Sequence, residues 1–197
     1  MSDPAADRDL VRRTLAGESG AFDGLVRAHE RGIFNLMLRM VRDRETARDL
    51  TQDLFVKVHR SLPKYDPRYP FTSWLYRVAT NLCIDHIRRR RLQTVSLDAP
   101  VRFGDGEEAP REIPDDSCNP AADAEQADRA RMLAAAMAEL PEAQRLVLEL
   151  RHQRDLSYDE IALVLGAPLG TVKARIHRGR EALRKTLVRR YGLNEFA

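Results

Sequence analysis

The chain has 197 residues, enough for one large or two small domains with cores of their own. An apolar fraction of 43% is ordinary for a folded protein, and 32% charged residues with few aromatics suggest helices. The net charge is only +3, but residues 1–97 carry +6, residues 98–128 carry −8 and residues 129–197 carry +5. Two basic blocks around an acidic strip suggest two nucleic-acid-facing modules and a linker; solvated helix faces with chance asymmetry are the plainer alternative.

Cys83 and Cys118 lie far apart and neither belongs to a CxxC pair, which argues against a disulfide framework and a zinc site. Met1 to Leu10 is polar, and no apolar run approaches the roughly 18 residues that span a bilayer. The expectation is a cytoplasmic protein without metal, cofactor or catalytic residues.

Leu10 to Ala16 reads as a short helix stopped near Gly17, and a second helix is predicted from about Ser19 to Val41. Asp43 suits the N-cap of a third, whose apolar face is Ala47, Leu50, Leu54, Val58 and Leu62 before Pro63 ends it. Lys64 to Phe71 holds Pro67 and Pro70 and reads as a loop. Thr72 can cap a fourth helix that turns Leu75, Val78, Ala79, Leu82 and Ile87 inward and ends in Arg88 to Arg91. The helix dipole favours one or two of those arginines but hardly four.

Residues 92–120 hold four prolines and many acids and read as a flexible linker. Helical pattern returns from about Ala121 to Leu140, and Pro141 suits the first turn of the next helix. Ser157-Tyr158-Asp159-Glu160 is a capping box for a short helix that Gly166 ends. A last helix starts near Leu169 to Thr171 and continues to about Arg190.

A capped short helix, a Gly-containing turn and a longer basic helix make a helix-turn-helix, whose second helix enters the major groove. Val172, Ile176, Leu183 and Leu187 form its inward stripe, while Lys173, Ala174, His177 and Arg178 share an exposed face. Arginine and lysine can donate to guanine, and a small residue can touch a thymine methyl. Arg175, Arg180, Arg184 and Lys185 are better read as phosphate contacts.

Tyr65, Tyr69, Phe71, Trp74 and Tyr76 put five of the chain's 12 aromatic residues between positions 65 and 76, beside Arg68, Arg77 and the Arg88–Arg91 run. Aromatics interleaved with cations suit single-stranded DNA, each stacked base contributing about 1–3 kcal/mol. Trp74 begins the apolar face and is expected in the core, whereas Tyr65, Tyr69 and Phe71 are expected to be exposed. On the third helix, Glu45, Asp49, Gln52 and Asp53 form an acidic stripe that repels DNA and suits a basic protein partner; an ordinary solvated face is the alternative.

Asp49-Leu50-Thr51-Gln52-Asp53-Leu54-Phe55-Val56-Lys57-Val58 and Phe71-Thr72-Ser73-Trp74-Leu75-Tyr76-Arg77-Val78-Ala79-Thr80-Asn81 resemble conserved region 2 of the sigma-70 family. Leu140-Pro141, Ser157 to Ala162 and Gly170 to Arg180 resemble region 4. The likeness implies an all-α protein of two small helical domains: region 2 over 8–92 and region 4 over 125–190, with an acidic linker over 93–124. It leaves no space for regions 1.1 and 3, the pattern of the extracytoplasmic-function group.

The resemblance further implies a promoter-recognition subunit for RNA polymerase, acting in a stress or envelope response. The face with Glu45, Asp49, Gln52 and Asp53 would dock on the polymerase clamp helices, and region 4 on the flap. Tyr65, Arg68, Tyr69, Phe71, Arg77, Asn81 and Arg88 would capture the −10 strand, including a flipped base. Lys173, Ala174, His177 and Arg178 would read the −35 duplex, with Arg175, Arg180 and Arg184 on phosphates. The linker would thread toward the active-site and RNA-exit channels. The active form would be a monomer, and an anti-sigma factor would hold the resting form.

Two other classes compete. A self-sufficient helix-turn-helix repressor or activator would bind duplex DNA tightly as a dimer with paired half-sites. A nucleic-acid enzyme would need clustered carboxylates, and Asp49 with Asp53 is the one candidate pair, without a nearby histidine or Gly-rich phosphate loop.

Overall fold

Capping residues and prolines set most of the helix ends. The computed structural model describes residues 3–95, 120–152 and 156–192, and every regular element among them is helical. Helix α1 (Pro4–Leu15) starts well before Leu10, because Asp3 accepts the Ala5 N–H at 2.9 Å and Pro4 occupies the first turn. Helix α2 (Ala21–Val41) closes on Arg42, a non-glycine residue in the left-handed region at φ 59°. Asp43 caps α3 (Arg44–Ser61) by accepting the Thr46 N–H at 2.8 Å, as its position suggested.

A 3-10 turn at Leu62–Lys64 leads into the proline-containing loop, and α4 (Phe71–Val95) follows. Thr72 does not cap α4. The helix already includes Phe71, and the Thr72 hydroxyl donates to Asp7 Oδ2 at 3.3 Å. Beyond residues 96–119, which lie outside the described residues, come α5 (Pro120–Ala138), α6 (Glu142–His152), α7 (Tyr158–Leu165) and α8 (Leu169–Tyr191). The linker expected over 93–124 is therefore helical at both edges and otherwise falls outside the described residues.

Helices α1 to α4 pack around Leu25, Ile33, Met37, Leu54, Val58 and Leu75, all essentially buried. Helices α5 to α8 pack around Val147, Leu148, Leu150, Ile161 and Ile176. Gly179 lets α8 sit close on α6, since a Cβ there would lie 3.2 Å from the Leu148 side chain. Arg189 and Arg190 on α8 pair with Glu139, tying the end of α8 to the turn after α5.

The two modules also touch. Helix α4 packs on α7 and α2 on α6. At this seam Arg39 donates to Glu149 Oε2 at 2.8 Å, and Arg145 and Glu149 are both buried, at 6% and 5% exposure. Nε and Nη1 of Arg145 are buried without a hydrogen-bond partner among the described residues.

Candidate nucleic-acid and polymerase interfaces

The acidic stripe on α3 is fully presented. Glu45, Asp49, Gln52 and Asp53 are all exposed, one helical face apart from the buried Ala47, Leu50, Leu54 and Val58. Neighbouring acids at i, i+4 repel by a few tenths of a kcal/mol per pair, and no ion pair among the described residues offsets them. Beyond Asp53 the surface turns apolar: Val56 is 51% exposed beside Phe22, Phe55 and His59, with Phe22 edge-on to His59 at 4.8 Å. The acids drew attention away from this apolar end, although Val56 continues the Asp49–Asp53 row at helical spacing.

The aromatic segment divides in two, and part of the expectation for it fails. Tyr65 and Phe71, expected to be exposed, are buried at 8% and 2%. Their rings meet edge-to-face at 5.7 Å, and Trp74, half-buried, packs 5.4 Å from Tyr65 and 5.8 Å from Phe71. The burial of Phe71 is physical necessity: Phe71, Leu75, Ala79 and Cys83 recur every four residues and form the inward row of α4. That period was in the sequence, and the cations nearby masked it. Burial raises the Tyr65 phenol above its ordinary value, and the phenol donates to the Tyr69 carbonyl at 2.6 Å.

Tyr69 itself, at the loop tip, is 47% exposed. Arg68 beside it is exposed and forked onto Asp66, with Nη2 2.6 Å from Oδ2. Arg77, Asn81 and Arg88 are exposed along one stripe of α4, and Ile84, at 43% exposure, belongs to the same stripe by spacing. The exposed side chains here are thus the cations Arg68, Arg77 and Arg88, the ring of Tyr69 and the apolar Ile84, next in sequence to the packed rings of Tyr65, Phe71 and Trp74.

In the C-terminal module the expected helix-turn-helix forms from α7 and α8. Ser157 accepts the Glu160 N–H at 3.2 Å while Glu160 accepts the Ser157 N–H at 2.7 Å, and Gly166 closes α7 in the left-handed region. This turn sets α8 so that Val172 and Ile176 face inward and Lys173, Ala174, His177 and Arg178 face outward. Arg180 is exposed, whereas Arg175 is half-buried. Arg184 is held 3.0 Å from Glu181, which raises its pKa and offsets part of its charge. A shallow groove joins Tyr158 of α7 to Lys173, His177, Arg180 and Arg184 of α8. Tyr158, over which the Arg151 guanidinium sits at 5.4 Å, was not anticipated; its place in the first turn of the first motif helix was the available signal.

Among the described residues no group of three metal-ligating side chains comes together, and no helix is long and apolar enough to cross a membrane. Cys83 is buried, and Cys118 lies outside the described residues.

Comparison with known proteins converges on one family. Residues 25–93 match Sigma-70 region 2 and residues 130–183 match Sigma-70, region 4. The chain is 34% identical over 177 residues to the ECF RNA polymerase sigma factor SigW of Bacillus subtilis, covering 90% of this chain and 94% of that protein. It is 30% identical over 183 residues to the ECF RNA polymerase sigma-E factor of Escherichia coli, covering 93% and 95%. CnrH, solved in complex with the cytosolic domain of CnrY, superposes with a TM-score of 0.67 at 27% identity, covering 94% of this chain and 99% of that one. With both regions matched in order and such relatives aligned nearly end to end, the chain belongs to the sigma-70 family, as a sigma factor of the extracytoplasmic-function group.

Proposed function

We propose that this sigma factor brings RNA polymerase to promoters through three separate surfaces. The α3 stripe of Glu45, Asp49, Gln52 and Asp53 docks on the polymerase clamp helices, and its apolar end at Val56 extends that contact. Arg68, Tyr69, Arg77, Asn81 and Arg88 hold the unpaired −10 strand, with Tyr69 as the stacking ring. Lys173, Ala174, His177 and Arg178 read the −35 duplex in the major groove, with Arg175, Arg180 and Arg184 toward phosphates.

The observation that carries this reading is the simultaneous exposure of cationic side chains in both modules and of the acidic stripe on α3. Tyr65 and Phe71 do not stack on bases in this reading; they support the loop that presents Tyr69. The modules are the segments 8–92 and 125–190, the first extended back to Pro4 so that it holds the whole of α1. The linker follows the channels built for RNA, as its −8 charge over residues 98–128 suits.

No catalytic role is part of this reading, in keeping with relatives that are sigma factors. The setting is the cytoplasm, in a stress or envelope response, and the active form is a monomer on polymerase. CnrH was solved with the cytosolic domain of CnrY; a regulator of that sort, an anti-sigma factor, is the partner of the resting chain. The flap is the contact for region 4.

The test is in vitro transcription on genomic fragments with core polymerase, with and without the protein. New start sites that share −10 and −35 sequences are expected only in its presence. Tight, specific duplex binding by the free protein as a dimer, without new starts, would replace this reading with a conventional repressor or activator.

A further inference from the structure

We propose that α1 is a positioning element for strand capture, and that Asp7 is its positioning residue. This rests on the assignment of the −10 surface above. Helix α1 precedes residues 25–93, the stretch matched to region 2. Its Asp7 is nonetheless one of the most deeply buried polar groups of the chain, at 1% exposure.

From Asp7 a continuous set of contacts runs to the exposed loop. Asp7 Oδ1 lies 3.0 Å from His29 Nε2 of α2, itself 5% exposed. Asp7 Oδ2 accepts from the Thr72 hydroxyl in the first turn of α4 at 3.3 Å. The His29 ring meets Phe71 at 5.5 Å, Phe71 meets Tyr65 at 5.7 Å, and the Tyr65 hydroxyl donates to the Tyr69 carbonyl at 2.6 Å. One carboxylate thus ties together three helices and, through the rings of His29, Phe71 and Tyr65, the backbone of the stacking residue.

An apolar trio would fill this space at no desolvation cost, and buried ionic groups are weak evidence for stability alone. What they add is direction. Hydrogen bonds fix the angle between α1, α2 and the start of α4, where apolar packing would tolerate rotation. The carboxylate also lies toward the N-terminal end of α4, where the helix dipole favours negative charge. The orientation of α4 sets where Arg77 and Asn81 point, and the aromatic contacts set where Tyr69 points. Asp7 therefore fixes the relative placement of the two halves of the strand-binding surface while touching neither DNA nor polymerase.

The chain's single tryptophan, Trp74, sits in this aromatic cluster and reports on it. The experiment uses full-length protein with core polymerase. Its probe is a single-stranded oligonucleotide carrying the −10 segment of a promoter mapped by in vitro transcription. Asp7→Ala and Thr72→Ala are expected to shift Trp74 emission and raise its quenching by acrylamide. Asp7→Ala should weaken oligonucleotide binding about tenfold, the scale on which remote residues alter affinity. Core affinity and −35 duplex binding should stay within about twofold. His29→Gln, whose amide can still donate to the carboxylate but lacks the ring that meets Phe71, should weaken the binding less than Asp7→Ala does.

Unchanged oligonucleotide binding by Asp7→Ala, or an equal loss in oligonucleotide, core and duplex binding, overturns the proposal; the second outcome would make Asp7 a fold residue only. Tyr69→Ala and Arg68→Ala separate the two layers of the argument. If they weaken oligonucleotide binding and Asp7→Ala does not, only the positioning role falls. If they too leave binding intact, the −10 assignment fails and the positioning role with it.

Discussion

Arg42 shows what a single backbone position can cost. It ends α2 at φ 59° and ψ 25°, where its N–H donates to the Leu38 carbonyl at 2.8 Å. An L-residue in this region is strained by about 1–2 kcal/mol, and glycine is not. Arg42 also stands close enough to the buried Arg145 to depress its pKa by repulsion, after the larger effect of burial. Arg42→Gly is therefore expected to stabilise the fold by about 0.5–1 kcal/mol after the extra chain entropy of glycine is subtracted, and so to raise the thermal midpoint. A lowered midpoint in calorimetry would mean that attraction to Glu142 outweighs the strain. On the reading helix, Arg178 is exposed, with Nε 3.3 Å from the Ala174 carbonyl. Arg178→Ala should cost about 1–3 kcal/mol of affinity at one −35 position if it grips a base. Equal losses on all promoters, measured by competition binding, would move Arg178 to the phosphates. Side-chain facing was readable on α8, where inward and outward rows have different chemistry. The expectation fails at Tyr65 and Phe71, because an aromatic ring beside arginines suits both a core and a base; the four-residue period of α4 separates the two for Phe71, and no period covers Tyr65, which precedes α4.

Several helix ends were legible from a cap or a breaker. Asp43, Pro63, the Ser157–Glu160 box and Gly166 each stand where the structure ends or begins a helix. The start of α1 was missed because its inward residue is the buried Asp7, which no apolar period reveals. The caps also make stability depend on pH. Hydrogen bonds from Thr46, side chain first and backbone second, hold the Asp43 carboxyl below its ordinary range. A carboxyl lowered in the folded state stabilises fully above its unfolded value, about 3.9, and loses that contribution as pH falls through the lower folded value. Asp43→Ala should therefore cost about 1 kcal/mol at neutral pH, and the gap from the parent should close below about pH 4. Urea midpoints at a series of pH values check this, and a constant gap would remove the charge from the explanation. The acidic stripe of the same helix is the proposed docking face, where a basic partner would relieve its repulsion. Asp49→Arg should leave the midpoint near the parent value and weaken core polymerase binding; unchanged affinity in a pull-down titration would detach that face from docking.

How the two modules meet could not be read from the sequence, because no local pattern encodes contacts between positions a hundred residues apart. The seam sets Arg39 of α2 against Glu149 of α6, with Arg145 and Glu142 on the same face of α6 by spacing. Such buried charges attract weakly once desolvation is counted, yet removing one partner of a pair is strongly unfavourable. Cys83 of α4 faces this cluster. Burial pushes its thiol up to about 12, with Arg145 pulling the value down and Glu142 pushing it up. A thiol so placed reacts only when the seam parts, so it measures opening without unfolding. In a Cys118→Ser background, the parent should react slowly with an aromatic disulfide reagent. Glu149→Ala strands Arg39 and the buried Arg145 among like charges, and should speed the reaction at least about tenfold, the equivalent of about 1.4 kcal/mol in the opening equilibrium. The pH at half-maximal rate should also fall toward the ordinary cysteine value of about 8.5 as the thiol samples solvent. Far-UV circular dichroism should stay at the parent level, because each module keeps its own core. A reaction rate unchanged by Glu149→Ala would mean that the packing of α4 within its own module, rather than the seam, shields Cys83.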